Sequence, residues 1–140
     1  MAGGRRSSTR PDAGADHREQ AGVQRWAPPP ADLRGWTDGG VVLHAPAELA
    51  ESRFPALVGG MLVLRLAGAV FRAGHGSLPA AVLIGPSTRP SCYLHAGAVQ
   101  ALGLLLRPEA LAVLAGPPVA RLVDSHVALD GLPGRAWAGL

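Results

Sequence analysis

From about residue 33 onward, apolar residues come in short runs separated by glycine, proline and polar pairs, a spacing that suits strands better than a helical bundle. Residues 61–66 read as the central strand. Leu62, Leu64 and Leu66 fall on one face, and Met61, Val63 and Arg65 on the other. Gly68 interrupts the run, 69–72 continue it and 73–77 turn. A short apolar strand at 81–84 then meets the turn block Gly85, Pro86, Ser87, Thr88, Arg89, Pro90. A strand at 92–95, Gly97 and a strand at 99–106 follow. At 107–109 the chain converts to helix: Arg107 precedes a proline, Pro108 suits the first helical position, and Glu109 meets the positive end of the helix dipole. Gly116, Pro117 and Pro118 end that helix.

Upstream, Leu33 and Trp36 lie three apart and predict a single helical turn. Asp38, Gly39 and Gly40 are a turn signal before a short strand at 41–44. Residues 45–52 are helix-permissive, 53–58 extended, and Gly59-Gly60 makes a hairpin turn or bulge. After Pro118, two short apolar stretches end in Asp124 and Asp130, positions that can start helices. Leu132, Ala136 and Leu140 fall four apart beside Trp137, the beginning of an amphipathic helix. The expected class is mainly β with a few helices (α+β): a small antiparallel barrel or sandwich closed by a C-terminal helix. The expected division is a disordered tail at 1–27, a β-rich domain at 28–116, and a linker with the start of a truncated helical segment at 117–140.

Composition narrows the function. The 140 residues hold 19 Gly and 13 Pro, and all 13 strong bases are arginine. The net charge of +3 is split between +2 in residues 1–30 (five Arg, three acids) and +1 in the remainder (eight Arg, seven acids). No basic stripe marks a nucleic-acid face. A single cysteine, Cys92, excludes an intrachain disulfide. The most apolar run, 57–71, is interrupted by Arg65 and is shorter than the ~20 residues of a membrane-spanning helix. A cytoplasmic protein with no membrane contact is expected.

The ordered motifs resemble a known family. GPSTRP at 85–90, the strand ending in LRPEALAVLAG at 106–116, and LVDSHVALDGL at 122–132 are similar to the N-terminal sensor domain of AraC-type bacterial transcription regulators. The upstream PPPADLRGW and RFPALVGGMLVLRLAG segments look like that family's opening strands, so the resemblance spans about residues 28–140. It implies a cytoplasmic regulator with a ligand-sensing, dimerising β-rich domain of cupin-like form and a separate helix-turn-helix DNA-binding part. Only 24 residues (140 minus 116) follow Gly116. Two helix-turn-helix units need far more, so the DNA-reading part is expected to be missing from this chain. This chain itself is then not expected to bind nucleic acid or to be an enzyme, and no cofactor is implied. A small-molecule effector and a homodimer are the expected partners.

The candidate ligand contacts are Arg65 and Tyr93, both on strand faces opposite the most apolar set, and Arg89 in the turn block, whose ordinary role is structural. His44, His75 and His95 are the alternative, a metal site in a cupin-like enzyme; no His-x-His pair supports it. Cys92 and His95, three apart on a strand, face opposite sides and make no nucleophile–base pair, so Cys92 reads as buried. Neither Ser87 nor Ser91 has the glycines of a nucleophile elbow. Trp137 and Leu140 are the candidate interface residues.

Overall fold

A computed structural model describes residues 23–116 and 118–132. They form one eight-stranded, antiparallel sheet with one α-helix, as the α+β expectation holds. The strands are β1 (Val23–Ala27), β2 (Thr37–Ala45), β3 (Glu51–Phe54), β4 (Gly60–Arg72), β5 (Gly76–Ser77), β6 (Ala81–Ile84), β7 (Ser91–Leu106) and β8 (His126–Ala128), with α1 at Pro108–Ala115. The order is β1-β2-β7-β4-β6-β8, with β3 paired to one end of β7 and β5 to one end of β4. The path runs open from β1 to β8, so the sheet is not closed into the expected barrel.

The two longest strands, β4 and β7, give the sheet its shape. They pair from Gly60↔Leu106 at one end to Arg72↔Tyr93 at the other, with register shifts around Ala67. Gly68 (φ 82°) and Gly97 (φ 77°) sit at this break in left-handed backbone that a side chain disfavours. Bulges of this kind bend a strand and increase its twist. The strands expected at 92–95 and 99–106 are therefore one strand folded over at Gly97. The face carrying Met61 and Val63 becomes concave.

That concave face holds one apolar cluster: Met61, Leu78, Val82, Ile84 and Tyr93. The opposite face holds the other: Leu83 and Leu106 pack with Ala110 and Leu111 of α1 and with Leu122, Leu129 and Leu132. Alternation along 61–64 distributes the side chains as expected, since Leu62 and Leu64 pack toward the helix and Met61 and Val63 toward the concave side. The helix also begins and ends where expected. Arg107 is extended (φ −70°, ψ 152°), Pro108 opens the helix and Gly116 follows it.

Several expectations are corrected. Asp38, Gly39 and Gly40 lie inside β2, where a register shift between Thr37 and Gly39 absorbs the glycine. Thr37 anchors that bulge: its buried hydroxyl donates to the Leu105 carbonyl and receives the Gly39 amide. The helix-permissive 45–52 segment instead gives a turn and then β3, because β7 offers Leu94 and Tyr93 as partners for Glu51 and Ser52. Val23–Ala27, placed in the tail, form β1 against His44–Gly40. Residues 118–132 are no linker, since Leu122, Leu129 and Leu132 are buried in the helix-side core. Asp124 starts no helix but sits in left-handed backbone (φ 55°). Among the described residues, no helix is long and apolar enough to cross a membrane.

Candidate functional site: a cavity in the concave face

The curl of the sheet leaves a cavity of about 90 Å³ between β2, β3, β4, β6 and β7. Cross-strand pairing builds its floor. Leu43, Ala101 and Arg65 form one row across β2, β7 and β4. Val63 and Val82 stand in the next row, and Met61 and Ile84 in the one after. All seven line the cavity. Ala101 and Val99, buried at 5% and 6% exposure, offer little bulk at the centre, which leaves the space open.

Two of the three candidate ligand contacts meet at this cavity. Arg65 lines it, and its Nη2 donates to the Leu78 carbonyl at 3.0 Å, so the guanidinium is held against the wall. Tyr93 lines it from β7, with its ring edge-on to Phe54 at 5.6 Å. Arg89 does not line it. That residue is exposed in the 85–90 turn, which is fixed by other groups. Ser87 Oγ accepts the Leu57 amide at 2.8 Å, and both the amide and hydroxyl of Thr88 donate to the Asp124 carboxylate at 2.9 and 2.7 Å. These two donors, with Arg89 and Arg72 nearby, hold the Asp124 carboxyl below its ordinary value.

The three histidines of the alternative metal set are not gathered. His95 lines the cavity, with Nδ1 bonded to the Leu49 carbonyl at 3.1 Å. A carbonyl only accepts, so Nδ1 carries the hydrogen of this bond. His44 borders the cavity but is exposed and alternates away from Leu43 and Ala45. His75 lies instead beside His126, ring centroids 6.4 Å apart. Among the described residues there is no group of three or more His, Cys, Asp or Glu placed to hold a metal. Cys92 is half-buried rather than buried, and its thiol donates to Glu51 Oε2 at 3.5 Å. Burial and that carboxylate raise its pKa, which favours the inert thiol over the thiolate. Cys92 and Tyr93 alternate along β7, so Cys92 faces away from Tyr93 and His95. Trp137 and Leu140 lie outside the described residues.

A polar chain attached to Tyr93 has no local signal in the sequence. Its hydroxyl lies 2.7 Å from His126 Nε2, and His126 Nδ1 lies 2.6 Å from Arg72 Nη1. Arg72 also donates to the Asp124 carbonyl at 3.3 Å. Burial first, then Arg72 and His75, push the His126 pKa down to about 4, so the ring is neutral at pH 7. Arginine only donates, which makes Nδ1 the acceptor and leaves the hydrogen on Nε2. Nε2 then donates to the Tyr93 oxygen, and the Tyr93 hydroxyl keeps its own hydrogen to give elsewhere. Burial raises the Tyr93 pKa against the pull of Ser91 and Arg72, so the phenol stays protonated at neutral pH.

The arrangement suits holding a molecule: apolar walls, one guanidinium, one phenol and one imidazole. Comparison of the chain with protein-family models, with curated proteins and with solved structures finds no match in any of the three.

Proposed function

We propose that this chain is a cytoplasmic ligand-sensing domain, similar in role to the sensor domain of AraC-type regulators, and not an enzyme. The observation that carries the reading is the cavity in the concave face, where Arg65 and Tyr93 stand among apolar walls. The order of the GPSTRP, LRPEALAVLAG and LVDSHVALDGL motifs supports the regulatory role. In this reading a small effector occupies the cavity, the chain pairs with a second copy, and DNA is read by a separate helix-turn-helix part.

The test is a fragment titration of ¹⁵N-labelled protein followed by amide chemical shifts. Ligands should move the amides of Met61, Tyr93 and Ala101 together. Ala101→Leu, which fills the centre of the cavity, should abolish the shifts while circular dichroism stays unchanged. A bound ligand at 100 times its Kd should add about 2.7 kcal/mol to stability. Shifts confined to other surfaces, or unaffected by Ala101→Leu, would remove this reading.

A further inference from the structure

We propose that the cavity selects a small organic anion: a monocarboxylate with a short aliphatic body. This rests on the ligand-binding reading above and names the ligand class for the same site.

The charge of the lining is one-sided. Arg65 stands there with Tyr93, Ser52 and His95 as polar neighbours, and the lining contains no Asp or Glu. The side-chain ion pairs among the described residues are Arg53–Glu51 and Arg107–Asp38, so Arg65 has no counter-ion there. Its one hydrogen bond goes to the Leu78 carbonyl, which fixes the group but does not neutralise it. A guanidinium carries five N–H donors in a planar fork, and a carboxylate is the partner that fits two of them at once. Arg65 is part-buried among apolar side chains, so a bound anion gains a charge-assisted partner there.

The rest of the lining sets the body of the ligand. Beyond Arg65, the floor is Met61, Val63, Val82, Ile84 and Val99, which offer nothing to a sugar or other polyhydroxylated molecule. At about 90 Å³ the space is well below that of a drug-sized pocket, which runs to several hundred Å³. A handful of carbon atoms is the body it accommodates.

The experiment titrates the full chain with straight and branched monocarboxylates of about two to six carbons, the size range set by so small a cavity. Each is paired with its primary amide, a neutral isostere. Amide shifts of Met61, Tyr93 and Ala101 give both the site and the Kd. The best carboxylate should bind at least about tenfold tighter than its amide. Arg65→Met should erase that preference, and Arg65→Lys should keep part of it. Equal binding of acid and amide to the wild-type protein, or a preference that survives Arg65→Met, overturns the anion assignment and leaves the ligand-binding reading standing. If Arg65→Met does not fold, the wild-type acid-to-amide ratio decides alone. If neither acids nor amides nor neutral apolar fragments move the cavity amides, the ligand-binding reading itself fails.

Discussion

The Tyr93 hydroxyl on β7 and Nε2 of His126 on β8 meet at 2.7 Å although β4 and β6 lie between those strands in the sheet. Backbone pairing leaves the sheet open, and this side-chain bond, extended to Arg72, ties the edge strand β8 back to the central pair β4 and β7.

Removing the bond should therefore loosen the curl. Tyr93→Phe leaves the His126 N–H without its acceptor in a half-buried place, and about 1–2 kcal/mol of stability should be lost. That is a fall in Tm on the order of 5 °C for a domain of this size. A double-mutant cycle with His126→Ala, read by urea unfolding, should return a coupling energy of about 0.5–3 kcal/mol. Strict additivity would mean the two groups do not interact.

Stability should also depend on pH through His126. Its folded pKa, about 4, lies below the ordinary 6.5. Between those values the unfolded chain binds a proton that the folded chain refuses, so stability rises with pH across the window. It is fully present above about pH 6.5 and is lost as the pH falls toward 4. The urea midpoint of the wild-type protein should drop between pH 7 and pH 5, whereas His126→Gln should show a flatter profile. An unchanged slope in the variant would assign the titration to another group.

Leu111 is fully buried between α1 and the sheet, at 0% exposure. Leu111→Ala should cost about 2–5 kcal/mol through lost burial and the cavity left behind. Val113 on the same helix is 66% exposed, and Val113→Ala should stay within about 0.5 kcal/mol of wild type. Equal effects at the two positions, measured by thermal melting, would contradict the packing of α1.

Local signals were the legible ones. The 85–90 turn and α1 carry their own punctuation in Gly85, Pro86, Pro90, Pro108 and Gly116, which act within a few residues. The two faces of β4 follow from a period of two and needed no partner. What failed depends on distant pairing. Gly39 and Gly97 read as breaks, yet each lies in a strand that continues past it, because glycine serves a turn and a bulge alike. The segment before β3 has helix-forming residues, and only the neighbouring edge of β7 makes its end a strand. At the cavity, Arg65 and Tyr93 could be picked out as polar residues on strand faces. His126 and Arg72 could not, since they are 54 residues apart and meet only after the sheet has curled.

β8 is held to β6 by three residue pairs, Val82↔Ala128, Leu83↔Val127 and Ile84↔His126, whereas β4 and β7 are paired along most of their length. So short a border strand opens more cheaply than the long central pair. Hydrogen–deuterium exchange should release the β8 amides well ahead of those in the middle of β4 and β7. Each such excursion carries His126 away from Tyr93 and leaves the phenol of a cavity-lining residue without its tether.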